Sequence, residues 1–305
     1  MIKRTLYFGN PAYLSLRNAQ LVIHLPEAQG MEDLTKNNTI AVEDIGVVVL
    51  DNRQITITHG LLDALLGNNT AVITCDSSCM PVGLMLPLNG NTIQSERFQA
   101  QIDASLPLLK QLWQQTMQAK IINQAYVLHK TRGAVVKNML AWVDIVKSGD
   151  SDNLEARAAA YYWRNLFPAI PDFRRGREGV PPNNLLNYGY AILRAVVARS
   201  LVASGLLPTL GIHHHNRYNA YCLADDIMEP YRPYVDKLVI EIMDSGEDIS
   251  ELNKPIKARL LNIPVLDVTI NGQRSPLMIA VGFTTASLAK CYAGESRRIA
   301  YPSFN

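Results

Sequence analysis

The chain is poor in the features that mark secreted and membrane proteins. It has four cysteines among 305 residues, and its most apolar runs are short or interrupted by charge and proline. Cys75 and Cys79 have the spacing C-x3-C, but no second Cys or His pair follows at zinc-finger spacing, so we expect free thiols. The N-terminal residues lack the apolar segment of a signal peptide, and no run is long enough to cross a membrane. These absences predict a cytoplasmic protein.

Charge is also sparse. Charged residues make up 18% of the chain, and the formal net charge is +2. This balance neither requires nor excludes a nucleic-acid partner, because binding depends on a local basic surface. None of the Gly-rich phosphate-binding loops of nucleotide-dependent enzymes is present. Apolar residues make up 48% of the chain, which favours a sizeable core over disorder.

The sequence pattern changes near residue 90. Before it, short runs of β-forming residues alternate with turn signals, as at 45–50 and 71–75. Beyond residue 93, apolar residues recur at threes and fours, which is typical of helices. We therefore predict an α+β protein with a small β-rich domain over residues 1–90 and a larger helical domain over residues 91–305.

Histidines and acids are concentrated in residues 211–233. His213–His215 are consecutive, and two aspartates and Glu229 follow within sixteen residues. We predict a helix over 216–244 that is interrupted near Pro230 and Pro233. Adjacent histidines cannot all face one point, and their spacing does not select which of them meets the acids.

If residues 225–229 are helical, their three acidic side chains do not all lie on the same face of the helix. Asp226 and Glu229 have the spacing i, i+3 and would share one face, whereas Asp225 would point about 100° away. A third acid must come from elsewhere, and the best candidate is Glu155, at the start of a helix predicted from Leu154. Carboxylates with one imidazole and no thiolate favour Mg²⁺ or Mn²⁺ over a closed zinc site. Such ions serve phosphoryl transfer.

Other interpretations of these residues are open at this point. The three histidines are also compatible with a solvated turn, and Glu155 with an ordinary first-turn acid favoured by the helix dipole. His214 and Arg217 fit the H-x-x-R pattern of tyrosine recombinases, although that chemistry does not need the accompanying acids.

Five motifs resemble, in the same order, those of one known family. They are Val42–Asn52, Glu155–Trp163, Asn183–Arg194, Gly211–His214 and Asp226–Pro233. The chain is similar over essentially its whole length to the CRISPR-associated integrase/endonuclease, the larger of the two universal spacer-acquisition proteins, in its type II form.

The resemblance implies a fold and a metal site. The fold would be a small N-terminal β-sandwich-like dimerisation domain followed by an all-α catalytic and DNA-binding domain. The metal ligands and catalytic residues would be Glu155, His214 and Glu229, with Asp226 as a supporting acid. Many relatives have Asp where this chain has Glu229, and a different rotamer of the longer side chain would accommodate this. His213 and His215 receive no role.

The activity implied by the resemblance is a transesterification that depends on Mg²⁺ or Mn²⁺. The 3′-hydroxyl of a short DNA fragment would attack a phosphodiester at the leader–repeat boundary of a CRISPR array, in adaptive antiviral defence. Metal-dependent cleavage of branched DNA is the related nuclease activity. The implied partners are protospacer DNA, a second copy of the chain and the smaller acquisition protein, in a heterohexamer-like complex.

DNA contacts are expected to be made mostly to phosphates, by basic residues near the site. The candidates are Arg174, Arg175, Arg177, Arg217, Arg232, Lys254, Lys257 and Arg259. The alternatives to the integrase are a strand transferase similar to tyrosine recombinases and a non-catalytic DNA-binding scaffold with the same fold.

Overall fold

The computed structural model describes residues 3–25 and 39–304 and divides the chain into two compact units. Unit 1 comprises Met1–Gly90, and unit 2 comprises Asn91–Asn305. In the described residues, unit 1 is rich in strands and unit 2 is mostly helical. The predicted α+β class, with a β-rich part followed by a helical part, is confirmed. None of the described helices is long and apolar enough to cross a membrane.

The described residues of unit 1 form two four-stranded sheets, one α-helix and a short 3₁₀ helix over Val42–Asp44. The elements are β1 (Arg4–Phe8), β2 (Ala12–Arg17), β3 (Gln20–His24), β4 (Thr39–Ala41), β5 (Ile45–Leu50), β6 (Ile55–Ile57), α1 (His59–Gly67), β7 (Ala71–Cys75) and β8 (Pro81–Met85). One sheet has the order β1-β5-β7-β8, and the other has the order β4-β3-β2-β6.

The core of unit 1 is built from both sheets and α1. Strand β5 lies between two parallel neighbours, β1 and β7, and its sequence IGVVVL is an apolar run of the kind that such a position requires. Leu14 and Leu21 from one sheet meet Val48 from the other sheet, and Leu61 and Leu65 of α1 complete the cluster. Two sheets that share one core form a sandwich-like arrangement, as expected.

Unit 2 contains nine α-helices, two short 3₁₀ helices and one hairpin among the described residues. The elements are α2 (Gln94–Ile102), α3 (Leu106–Arg132), α4 (Lys137–Ile145), α5 (Leu154–Leu166), α6 (Asn183–Ala203), α7 (Cys222–Met228), α8 (Arg232–Asp244), α9 (Lys254–Leu260), β9 (Asp267–Ile270), β10 (Gln273–Pro276) and α10 (Leu277–Tyr292). The β9–β10 hairpin departs from the expectation of an all-α domain. Its turn is Asn271-Gly272, with both residues at positive φ, and this dipeptide is a strong hairpin signal.

Helix α3 is the element around which the site is arranged. Ser105 accepts a hydrogen bond from the backbone N–H of Leu108, Pro107 lies in the first turn, and Gly133 ends the helix at φ 63°. The helix packs against α4, α5, α7, α8 and the 3₁₀ turn Glu229–Tyr231. It therefore brings together segments that are distant in the sequence.

Candidate metal centre

Glu155 is positioned by a capped helix start. Both oxygens of the Asp150 carboxylate accept backbone hydrogen bonds at 2.9 Å, one from Leu154 and one from Glu155. These bonds satisfy two of the N–H groups that a helix leaves unpaired at its first turn. The Glu155 side chain is 31% exposed, so its carboxylate stands at the edge of the protein interior.

Glu229 lies in the junction between helices α7 and α8. Pro230 and Pro233 interrupt the helical pattern, and a 3₁₀ turn over Glu229–Tyr231 joins the two helices. The residue is only 4% exposed. A carboxylate at this depth requires compensating charge.

The predicted helix over 216–244 starts too early. Helix α7 begins at Cys222, because two asparagine side chains compete for the backbone N–H groups ahead of it. Asn216 accepts a hydrogen bond from the N–H of Tyr218, and Asn219 accepts one from the N–H of Tyr221, each at 2.9 Å. Such local bonds favour turns over helix.

Asp226 holds the histidine loop in place. Its fully buried carboxylate accepts backbone hydrogen bonds from His213 at 2.9 Å and His214 at 3.4 Å, and it also bonds Nδ1 of the His214 ring. Gly211 makes this fold of the loop possible, since a Cβ there would lie 2.3 Å from the His214 carbonyl oxygen and 2.9 Å from Asp226. The Gly-x-x-His spacing thus has a steric reason.

The three histidines have different environments. The His213 ring stacks on Trp113 with centroids 4.2 Å apart and planes within 5°, whereas His214 meets the same indole edge-on at 5.6 Å. Burial is the main cause that lowers the pKa of His213, while the hydrogen bond with Asp226 is the main cause that raises the pKa of His214. His214 is the histidine that meets an acid, and all three histidines are exposed on the surface of the loop.

Lys120 joins two of the three predicted ligands. Its Nζ lies 2.5 Å from Glu155 Oε1 and 2.7 Å from Glu229 Oε2, and its side chain is 8% exposed. On the other oxygen of Glu229, Arg232 Nη2 forms an ion pair at 3.1 Å. Two carboxylates from separate elements thus converge on one ammonium group.

Lys120 and Glu229 both stay charged although they are buried, because each lies beside groups of opposite charge. Burial alone would lower the pKa of Lys120, but the Glu229 and Glu155 carboxylates raise it by more. Burial alone would raise the pKa of Glu229, but Arg232 and Lys120 lower it by more. His214 is close enough to Glu229 for the two groups to interact electrostatically.

Sequence reasoning missed Lys120, although the sequence holds a signal for it. Trp113, Met117 and Lys120 have the spacing of one helix face, and the two apolar members of this set are buried. A lysine on a buried face needs acidic partners. The signal indicates the presence of such partners but does not identify them.

Glu155, Glu229 and His214 carry the types of donor atom, carboxylate oxygen and imidazole nitrogen, that bind divalent metals. Their arrangement in this structure is a separate question. Within residues 3–25 and 39–304, no group of three or more His, Cys, Asp or Glu side chains is arranged so that it could hold an ion. However, Oε2 of Glu229 is buried and accepts no hydrogen bond of proper geometry from any described residue. Asp226 engages Nδ1 of His214 and leaves Nε2 as the other ring nitrogen, and this is the usual arrangement behind a metal-bound histidine.

Four of the predicted DNA contacts are engaged within the protein. Arg175 donates to Asn183 Oδ1 at 3.0 Å, Arg232 pairs with Glu229, Arg259 pairs with Glu247 at 2.5 Å, and Lys257 is only 4% exposed. The other four are exposed, namely Arg174, Arg177, Arg217 and Lys254, although Arg217 also donates to the hydroxyl of the exposed Tyr218 and stacks over its ring. Exposure makes these four the better candidates for phosphate contacts.

The family model for "CRISPR associated protein Cas1" matches residues 6–252. The chain belongs to the Cas1 family. It is 36% identical over 282 residues to the CRISPR-associated endonuclease Cas1 of Neisseria meningitidis serogroup C strain 8013, a match that covers 92% of this chain and 89% of that protein. The family resemblance stated from the five motifs is confirmed.

Solved structures share the Cas1 fold of this chain. A casposase bound to its integration product matches with a TM-score of 0.77 at 20% identity, over 98% of this chain and 92% of that one. A Cas6-RT-Cas1–Cas2 complex matches with a TM-score of 0.73 at 20% identity, over 99% of this chain and 36% of that one. At these identities the likeness shows the fold alone.

Proposed function

We propose that this Cas1 protein is a metal-dependent DNA integrase and endonuclease that inserts short foreign DNA fragments into a CRISPR array. The proposal is supported by the family membership and by the name endonuclease of its Neisseria relative. The observation that carries it is the convergence of Glu155 and Glu229 on one cation position, with the Asp226-held His214 interacting with Glu229.

Three side chains would hold the ion. Glu155 and Glu229 would each supply a carboxylate oxygen, and His214 would supply Nε2. When bound, Mg²⁺ or Mn²⁺ activates a hydroxyl oxygen and offsets negative charge at phosphorus.

The remaining residues position these ligands and the substrate. Asp226 fixes the tautomer of His214 by accepting the Nδ1 proton. The exposed arginines near the site would bind the phosphates of the DNA and orient the attacking 3′-hydroxyl. The 3′-hydroxyl of the DNA fragment is itself the nucleophile, so no protein nucleophile is needed. Because one phosphodiester replaces another, the exchange needs no external energy source.

The proposal includes protein partners. The chain would act as a homodimer joined through unit 1, with the smaller acquisition protein between two such dimers, and the Cas1–Cas2 complex among the structural neighbours is consistent with this partnership. A cytoplasmic location remains a prediction.

A strand-transfer assay tests the function. Purified protein and the smaller acquisition protein would be incubated with a labelled DNA fragment and a plasmid that carries leader and repeat. We expect integration with Mn²⁺, and a loss of at least about a hundredfold in Glu155→Ala or His214→Ala, because the ion provides the main stabilisation of charge. DNA binding and dimerisation should be nearly unchanged.

The assay also separates the alternatives. Integration retained in either variant would contradict the metal centre. A covalent phosphotyrosine adduct formed in EDTA would instead support recombinase chemistry based on His214 and Arg217. DNA binding without strand transfer or cleavage under any metal would support the non-catalytic scaffold.

A further inference from the structure

Lys120 occupies an unusual position for a lysine. It lies in the middle of α3, and its side chain is almost withdrawn from solvent. Its ammonium group contacts Glu155 and Glu229, two residues that are proposed to bind the metal. A buried charge persists only when the surrounding groups compensate it.

In this structure the ammonium group of Lys120 supplies the positive charge that a metal ion would supply between the two carboxylates. It stands between one oxygen of Glu155, on α5, and one oxygen of Glu229, on the turn between α7 and α8. Without a positive charge there, two carboxylates would face each other across a poorly solvated space. Like charges in such a setting repel strongly.

Arg232 does not replace Lys120 in this role. It pairs with Oε1 of Glu229, the oxygen that Lys120 does not contact, and its guanidinium group stacks over Tyr190. Lys120 is the group that bridges to Glu155. Oε2 of Glu229 forms an ion pair with the Lys120 ammonium group at 2.7 Å, but the geometry of this contact is not that of a hydrogen bond.

A divalent ion and Lys120 would compete for the same two oxygens. An ion held by Glu155 Oε1 and Glu229 Oε2 would need the space in which the ammonium group now lies. Two cations at such short range repel each other, so the ion binds only if the lysine moves away.

We propose that Lys120 is a tethered cation that holds Glu155 and Glu229 together in the metal-free protein and must leave them when the ion binds. It thereby lowers the metal affinity and links metal binding to a movement of its side chain. The inference rests on the proposed function, since it assumes that these carboxylates are metal ligands.

The test is Mn²⁺ binding, measured from the EPR signal of free Mn²⁺ in titrations of the purified full chain. Lys120→Met keeps most of the side-chain volume and removes the charge. We expect its Kd for Mn²⁺ to fall by about tenfold or more, because the competing positive charge is gone. Lys130→Met is the matched control, because Lys130 is an exposed lysine on the same helix, and its Kd should equal that of the wild type.

Thermal unfolding supplies a second readout. Without metal, Lys120→Met should unfold at a lower temperature than wild type, because Glu229 loses a buried partner. Saturating Mn²⁺ should raise its Tm more than it raises that of wild type. If the variant does not fold without metal, recovery of the fold on addition of Mn²⁺ supports the proposal, and failure to recover contradicts it.

The outcomes distinguish this inference from the proposed function. A folded Lys120→Met that binds Mn²⁺ as weakly as wild type, or more weakly, overturns the tethered cation and makes Lys120 a purely structural partner. If instead wild type and Glu155→Gln bind Mn²⁺ identically, the metal centre itself is wrong, and the inference fails with it.

Discussion

At the scale of single residues, the orientation of His214 depends on Asp226. The buried carboxylate binds the loop backbone and the Nδ1 of the ring, so it sets both the place of the imidazole and its tautomer. The adjacent Asp225 has a separate role, since it pairs with Arg194 at 2.6 Å and with Asn219 at 2.7 Å.

This difference gives a prediction with a built-in control. Asp226→Asn should weaken Mn²⁺ binding by about 10- to 100-fold, because the amide no longer fixes the tautomer of His214. Asp225→Asn should leave the affinity within about twofold of wild type, since it contacts none of the proposed ligands. Isothermal titration of both variants measures this. Equal losses in the two would show that Asp226 has no special role.

Only some of the residues of the candidate site could be predicted from the sequence. Spacing placed Asp226 and Glu229 together but left the choice among three histidines open, and the family resemblance selected His214. In the structure Trp113 stacks on His213, while Asp226 engages His214. Lys120 was missed because its partners lie far from it in the sequence.

At the scale of elements, the first turn of α5 presents Glu155 to the site. Asp150→Asn should lower the free energy of unfolding by about 1 kcal/mol, because the amide retains one acceptor oxygen instead of two. The substitution avoids backbone strain, since Asn tolerates the φ of 49° at this position.

Asp152→Asn is the control for this cap. Asp152 is an exposed neighbour that pairs with Lys147 at the surface, so its change should stay within about 0.5 kcal/mol. Urea unfolding of both variants measures the difference. An equal effect in the two would mean that the Asp150 cap does not stabilise α5.

A buried acid connects α5, α6 and α8. Asp236 on α8 is 1% exposed and accepts hydrogen bonds from the hydroxyls of Tyr162 at 2.9 Å and Tyr190 at 2.5 Å. Burial raises the pKa of Asp236 from its ordinary value of 3.8 to about 6, against the opposing effect of the two tyrosines.

This raised pKa predicts a pH dependence of stability. Between pH 4 and 6 the folded state keeps a proton that the unfolded state has released, so the contribution of Asp236 to stability falls as the pH rises. The loss is about 3 kcal/mol in total and is complete above the folded pKa.

Comparison with Asp236→Asn isolates this contribution. In urea unfolding from pH 4 to 7, the stability of wild type relative to Asp236→Asn should decline with rising pH and then level off. Parallel profiles would contradict the assignment. Tyr162→Phe removes one donor to the carboxylate, so it should extend the decline to higher pH.

Some secondary-structure elements could be predicted from the sequence and others could not, and the physical reasons can be identified. The long periodic helices and the buried strand β5 follow from their apolar spacing. The start of α7 was wrong because Asn216 and Asn219 bond their own backbone, and the β9–β10 hairpin was missed although Asn271-Gly272 marks its turn.

At the scale of the whole molecule, unit 1 is proposed to join two copies of the chain. Strand β8 is at the edge of its sheet and exposes Val82 (65%) and Met85 (42%), and Leu88 just beyond it is 90% exposed. An edge strand with exposed apolar side chains is a natural pairing surface. The change of sequence pattern near residue 90 is visible without a structure, but such a surface is not.

Light scattering after size-exclusion chromatography tests the dimer. The full chain should show twice its sequence mass, and Val82→Lys should shift it toward the monomer, because a charge at a buried apolar contact is costly. Val135→Lys alters a similarly exposed valine of unit 2 and should leave the dimer intact. A monomeric wild type, or a Val82→Lys dimer as stable as wild type, would contradict the proposal.

The most direct test of the metal centre is anomalous diffraction from a crystal grown with Mn²⁺. We expect one anomalous peak within about 2.2 Å of Glu155, Glu229 and His214 Nε2, with Lys120 Nζ displaced from both carboxylates. A peak elsewhere, or Lys120 still bridging Glu155 and Glu229 at saturating Mn²⁺, would contradict it.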